Sequence, residues 1–402
     1  MKRTPELLAP AGNFEKLKTA LYFGADAVYL GGKNFSLRSF SDNFGKEELK
    51  EAVEFAHARG KKVYVTANIF AKNADFPALA DYFSYLQEIG ADAALVTDAG
   101  VLSVAKKAAP ELALHISTQA NTTNKYAAGF WREQGAERVV LARELSIAEV
   151  REIKDHCPDL ELEVFVHGAM CISYSGRCLL SNYLAGRDSN RGECVQACRW
   201  KYRLRAEDRE GEIFAEEDDR GTYIFNSKDL NLSAHLSALA DAGVDSFKIE
   251  GRMKSAYYVA TVVNAYRRLL DGKMTAEEAA RELDTAAHRD YTEAYAFGNN
   301  DKTVNYADSQ TAGTRVYTAN VLEGAHAGGA ALIEMRNRFR RGDELEILSP
   351  SDSFGRRFTV EEMRGEDGEI VADAKLVQQK LRIFCPHELC AGDILRKVPK
   401  GE

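Results

Sequence analysis

The chain has 402 residues, 45% hydrophobic and 28% charged, the balance of a globular protein large enough for two or three domains. A net charge of −8 argues against a protein that coats nucleic acid non-specifically, and no run approaches the ~18–20 apolar residues of a membrane span. The opening MKRTPELLAPAG has no apolar signal core, and seven cysteines without an export signal point to a reducing compartment, so a cytoplasmic protein is expected.

Taken in chain order, the first ~255 residues repeat a short apolar strand, a polar turn and an amphipathic helix. The strands are expected at Glu6–Ala9, Ala27–Leu30, Lys62–Ala67, Ala94–Thr97, Ala113–Ser117, Arg138–Leu141, Glu161–His167 and Ser246–Glu250. Between them, Lys46–Gly60 is representative: Leu49, Ala52, Val53 and Ala56 fall on one face, and Gly60 offers a stop. Eight strands alternating with helices predict a closed α/β barrel of the (β/α)8, TIM-like kind. No G-x-G-x-x-G follows the first strand, which disfavours an open dinucleotide-binding sheet. The strand ends are rich in polar groups, including Asn68, Gln119, Arg143-Glu144, His167 and the run Lys248–Arg252, so a polar pocket is expected at one rim of the barrel.

A long insertion, about 170–222, separates the seventh and eighth strands. It carries Cys171, Cys178, Cys194 and Cys198, with six, fifteen and three residues between them, and then an acidic stretch, Glu207–Arg220, expected to be a hairpin or loop. Four thiolates gather only around a cation or a cluster, so these cysteines are candidate ligands of a metal; the spacing leaves zinc and iron–sulfur both open, with a lean toward the latter. Helices are expected at Ser255–Gly272 and Thr275–Thr285. From Gly313 the pattern becomes short alternating strands, a small all-β barrel or sandwich. The expected domains are thus 1–305, the barrel with its insertion and trailing helices, and 306–402.

Two basic runs with interleaved aromatics, Arg199–Arg205 and Arg336–Arg341, offer Arg199, Lys201, Arg203, Arg336, Arg338 and Arg340 as candidate RNA contacts. At the rim, Arg177, Lys228, Lys248 and Arg252 are candidate anion binders, with Asn68, Gln119 and Asn226 as neutral donors. Glu250 and His167 are candidates for proton transfer, so the catalytic group is expected among His167, Lys248, Glu250 and Arg252. Residues 248, 250 and 252 share one face of a strand and can also satisfy one another. Neither H-E-x-x-H nor G-x-S-x-G is present, so a protease here could use a Cys171–His167 pair or a metal-dependent site.

The segment Glu163–Ser181, EVFVHGAMCISYSGRCLLS, resembles the signature of peptidase family U32, the collagenase-like proteases, at Glu163, Phe165, Gly168–Cys171, Gly176, Cys178, Leu180 and Ser181. ELLAPAG, STQAN, FNSKDL, KIEGRMK and RNRFRRGDELEILSP resemble the family as well, so the likeness runs through nearly the whole chain. Within the family it looks most like the enzymes that hydroxylate the wobble uridine of tRNA with prephenate as oxygen source. The resemblance implies a [4Fe–4S] cluster on Cys171, Cys178, Cys194 and Cys198, with zinc as the alternative, and tRNA and prephenate as substrates. The alternatives it leaves are a U32 peptidase and a non-catalytic half of a heteromer with a second U32 subunit.

Overall fold

Short aliphatic runs, buried along most of their length, form the staves of a barrel. The computed structural model describes residues 4–37, 42–175, 177–200, 217–218, 221–222, 227–298 and 313–399. Eight parallel strands, β1 (Glu6–Pro10), β2 (Ala27–Gly31), β3 (Lys62–Ala67), β4 (Ala93–Val96), β5 (Ala113–Ile116), β6 (Arg138–Val140), β7 (Glu161–Ala169) and β8 (Ser246–Ile249), pair in sequence order. The last strand pairs with both β7 and β1, which closes the sheet. Every residue of β2 and of β4 is buried, the burial that parallel strands acquire when helices cover them.

Six helices return the chain from one strand to the next: α1 (Phe14–Tyr22), α2 (Lys46–His57), α3 (Phe76–Glu88), α4 (Ala99–Ala108), α5 (Lys125–Glu133) and α6 (Ile147–His156). In α2 the buried residues are Leu49, Ala52, Val53 and Ala56, the face read from the periodicity. Asp98, Asn124 and Ser146 start α4, α5 and α6 by accepting from Val101 N, Ala127 N and Glu149 N, which satisfies amides the helix leaves orphaned.

The insertion leaves the end of β7 as a loop, a short helix (Leu180–Ala185) and two tight turns (Ser189–Arg191 and Ala197–Arg199). A strand the sequence did not announce, Asp229–Asn231, then runs antiparallel to the end of β7, pairing Asp229 with Ala169 and Asn231 with His167. Most of the acidic stretch lies outside the described residues; Glu217–Asp218 and Gly221–Thr222 pair as an antiparallel ladder, as a hairpin would.

The described chain divides into two compact units, and residues 255–287 group with the C-terminal sheet. Within that second unit Arg396 is 1% exposed and binds Glu282 at 2.6 Å and Glu346 at 2.5 Å, so helix Ala276–Leu283 and the sheet share a buried charge that neither can release. The sheet has seven antiparallel strands around Ile333, Phe339, Ile347, Leu381 and Ile383. Strand Ala330–Met335 alternates half-buried and buried residues, the period-two pattern read from the sequence. No helix among the described residues is long and apolar enough to cross a membrane.

Candidate active site

A cavity of about 170 Å³ opens where the strands end. Thr66 and Asn68 reach it from β3, Ser117 and Gln119 from β5, Arg143 from β6, and Lys248, Glu250 and Arg252 from β8. The insertion covers it, so Cys171, Cys178, Cys194 and Cys198 line the same space.

Beneath the cavity the barrel interior is ionic. Arg138, 3% exposed, binds Glu6 at 2.7 Å, Glu161 at 2.7 Å and Glu163 at 3.0 Å. Glu163 is fully buried and also accepts from Lys248 Nζ at 2.6 Å. Burial works against the Arg138 charge, but Glu163 and Glu6 outweigh it and hold the guanidinium protonated. Burial lowers the Lys248 pKa, and the Glu163 charge opposes the shift. Lys248 also sits 4.5 Å from the centre of the Tyr29 ring. It is thus a fixed, largely desolvated cation at the cavity floor.

The rim is a set of interlocked polar groups. Arg252, 4% exposed, donates to Ser36 Oγ at 2.8 Å and Thr66 Oγ1 at 2.9 Å. Its backbone carbonyl passes so close to Gly12 that a Cβ there would stand 2.2 Å away, which explains a glycine at the end of β1. Asn68 Nδ2 donates to Gln119 Oε1 at 3.1 Å and to Ser117 Oγ at 3.3 Å.

The thiols are held by hydrogen bonds from the insertion's own backbone. Cys171 and Cys178 share a hydrogen bond, which pushes the Cys171 pKa up and pulls the Cys178 pKa down against the opposing effect of burial. Gln196 N donates to Cys194 Sγ at 3.4 Å, and Ser181 Oγ approaches the same sulfur at 3.9 Å. Burial raises Cys198. Two clamps fix this segment to the barrel. Arg191 binds Asp75 at 2.7 Å and Phe70 O at 2.7 Å, and Glu144 accepts from Ser175 N at 2.8 Å and Ser175 Oγ at 2.6 Å. Among the described residues no three His, Cys, Asp or Glu side chains form the cage of a single ion as they stand. The four thiols share a cavity instead, with N–H and O–H donors on sulfur, a donor set that suits an iron–sulfur cluster.

Several candidates from the sequence do not join the cavity. His167 is 1% exposed and absent from the lining. The register of β7 against β8 slips there, Lys248 facing Phe165 but Ile249 facing His167, so strict alternation fails at this residue. Its ring packs 5.3 Å from Tyr291, and burial lowers its pKa to about 3 although Asp229 pulls the other way. No Cys171–His167 pair forms, since the Cys171 partner is Cys178. Arg177 is exposed and Lys228 half-buried, and neither lines the cavity. Asn226, Lys201 and Arg203 lie outside the described residues. Arg199 is half-buried and hydrogen-bonds Gln196, so it is not an open basic face. In the second unit Arg336 pairs with Glu334 at 3.1 Å, and Arg338 and Arg340 both pair with Asp373, at 2.5 and 3.4 Å. The residues missed from the sequence are Arg138 and Ser175, whereas Arg143 and Glu144 were read only as polar strand ends at the rim. Nothing local marked Arg138, whose partners come from three other positions along the chain.

The neutral His167 gives a pH signature. A buried imidazole with a depressed pKa takes its proton in the unfolded chain first, so stability is full above about pH 6.5 and falls as pH drops toward 3. The slope is about 1.4 kcal/mol per pH unit for this group. His167→Gln is expected to flatten that slope between pH 6 and 4.5 in urea titrations; an unchanged slope would exclude His167 as its source.

A closed (β/α)8 barrel with a cavity lined by polar and thiol side chains at the carboxyl ends of its strands is the architecture of a barrel enzyme. This chain belongs to peptidase family U32: the family model matches residues 12–306, and the model of the U32 C-terminal domain matches residues 314–396. It is 40% identical to tRNA hydroxylation protein P1 of Bacillus subtilis, over 98% of this chain and 95% of that one. It is 37% identical to tRNA hydroxylation protein P of Escherichia coli, over 91% and 90%. Over 66% of this chain and 39% of the relative, it is 39% identical to the 23S rRNA 5-hydroxycytidine C2501 synthase of Escherichia coli.

Proposed function

We propose that this chain is a tRNA-modifying enzyme that converts the wobble uridine to 5-hydroxyuridine, with prephenate as oxygen source and a [4Fe–4S] cluster on Cys171, Cys178, Cys194 and Cys198. The observation that carries the reading is the meeting of these four thiols with Lys248, Glu250 and Arg252 in one cavity, in a chain whose full-length relatives are named for tRNA hydroxylation.

Replacing C–H by C–OH is a two-electron oxidation, so the site must supply redox or Lewis-acid chemistry, and the cluster is the group that brings it. The chain's own side chains do the rest. Lys248, fixed by Glu163, and Arg252, fixed by Ser36 and Thr66, present cations to a carboxylate-bearing donor. Glu250 is the carboxylate among the lining residues and is placed to move a proton. Residues of the insertion that carries the thiols line the same cavity as these side chains. In the second unit the basic run 336–341 is the candidate RNA contact, and its arginines would have to exchange carboxylate partners for phosphates.

The test is anaerobic purification with iron and sulfide assay, followed by incubation with tRNA lacking the modification, with and without prephenate, and mass spectrometry of the nucleosides. Iron and sulfide near four each and prephenate-dependent 5-hydroxyuridine support the reading. One zinc per chain with no sulfide, or no 5-hydroxyuridine from cluster-loaded protein, overturns it.

A further inference from the structure

Arg143 is set in position by its surroundings before any ligand is considered. Its amide donates to Ser175 Oγ at 3.1 Å; Ser175 is fully buried and is held in turn by both oxygens of Glu144. One corner of the guanidinium is fixed as well, Nη1 donating to Ala169 O at 2.8 Å, and the group lies 5.4 Å from the centre of the Phe165 ring. The side chain lines the cavity, and its charge acts on the Cys171 thiol.

What distinguishes it among the described cations that line the cavity is a buried guanidinium nitrogen with no acceptor. Lys248 has Glu163, and Arg138 has three carboxylates. Arg252 spreads its donors over two hydroxyls. Among the described residues no carboxylate forms an ion pair with Arg143, and its Nε is buried with no hydrogen-bond acceptor. A guanidinium has five donors in a planar fork, and a buried donor without an acceptor is an unfavourable state that a bound anion relieves. A rigid backbone, one anchored corner and an unused edge are the features of a pre-organised carboxylate site.

We infer that Arg143 binds a carboxylate of the small-molecule co-substrate, holding it in the cavity beside Cys171. The inference rests on the proposed hydroxylase reading in one respect, that a small carboxylate-bearing donor enters this cavity. It adds a residue on the β6 side, separated from Lys248 and Arg252 by the width of β7, so that a molecule with two carboxylates can be gripped at two places.

The test uses anaerobically purified, cluster-loaded protein and prephenate as the probe. Affinity is measured by calorimetry for the wild type, Arg143→Lys and Arg143→Met, with iron content and melting temperature recorded for each. Arg143→Met is expected to weaken prephenate binding roughly 10- to 100-fold at unchanged iron content, and Arg143→Lys to restore part of the loss, because it keeps the charge without the fork. Wild-type affinity in Arg143→Met overturns the inference, as does a wild type that binds no prephenate. Should Arg143→Met lose iron, wild-type affinity in iron-replete Arg143→Lys overturns it. Nucleoside analysis separates the two levels: a wild type that binds prephenate through Arg143 but forms no 5-hydroxyuridine refutes the hydroxylase reading and leaves this site standing.

Discussion

Cys171→Ser protein purified without oxygen is expected to lose most of its iron and sulfide, and tRNA hydroxylation is expected to fall more than ~100-fold with it. Cys171 leaves the end of β7 and lines the cavity, and its hydrogen bond to Cys178 ties the first two thiols together. A serine oxygen is a poorer ligand for iron than a thiolate, so the substitution removes one of the four cluster ligands the proposal requires. The same substitution at Cys178, Cys194 or Cys198 is expected to act in the same direction. Cys390→Ser is the control: that residue belongs to the C-terminal unit, and its replacement should leave iron content and hydroxylation at the wild-type level. Full hydroxylation by iron-free Cys171→Ser would sink the proposal that a cluster on these residues takes part in the reaction.

Arg138→Met is expected to be the most destabilising single change in the barrel. It would leave Glu6 and Glu163 buried around a methionine, and Glu163 with Lys248 as its remaining ionic partner. Breaking a buried ion pair from one side costs about 3–5 kcal/mol, because the carboxylates stay desolvated. For a unit of this size the loss corresponds to a fall in melting temperature of roughly 6–20 °C. Glu6 is held below the ordinary carboxylate range by Arg138, which outweighs its burial, so acid should partly rescue the variant by protonating the stranded Glu6. Thermal unfolding at pH 7 and pH 5.5 checks both statements. A melting temperature within 2 °C of the wild type would mean the network relaxes far more than its burial implies.

Much of the fold is legible in the residues themselves. β1 to β8 are aliphatic because helices cover their outer faces, and each was locatable within one or two residues. The helix face Leu49, Ala52, Val53 and Ala56 was legible for the same reason: burial selects residue type along a fixed period. The four-cysteine insertion was legible because thiols are rare and their spacing is local. By contrast, strand Asp229–Asn231 was not, since three residues are too few to show alternation.

Side-chain direction was the harder part of the site. Asn68, Gln119, Lys248, Glu250 and Arg252 do meet in the cavity, as polar strand ends of a barrel must. His167 does not, because one residue of slippage between β7 and β8 reorients what period two would aim inward. Arg177 and Lys228 sat in segments with no period to fix their direction. The basic run 336–341 reads as an open cationic face in sequence, whereas Asp373, brought in by sheet pairing, and Glu334, two residues upstream, already pair with three of its arginines.

The sequence by itself therefore determined the barrel, the order of its strands, the β-rich C-terminal region and the identity of the thiol-bearing insertion. All of these follow from local periodicity and residue chemistry. Only the tertiary structure decided which charges neutralise one another and which remain available. Lys248 finds Glu163 across 85 residues of chain, Arg138 finds Glu6 across 132, and Arg143 ends beside the thiols with an unused edge. Electrostatic partnership depends on distance in space, and no local pattern encodes it.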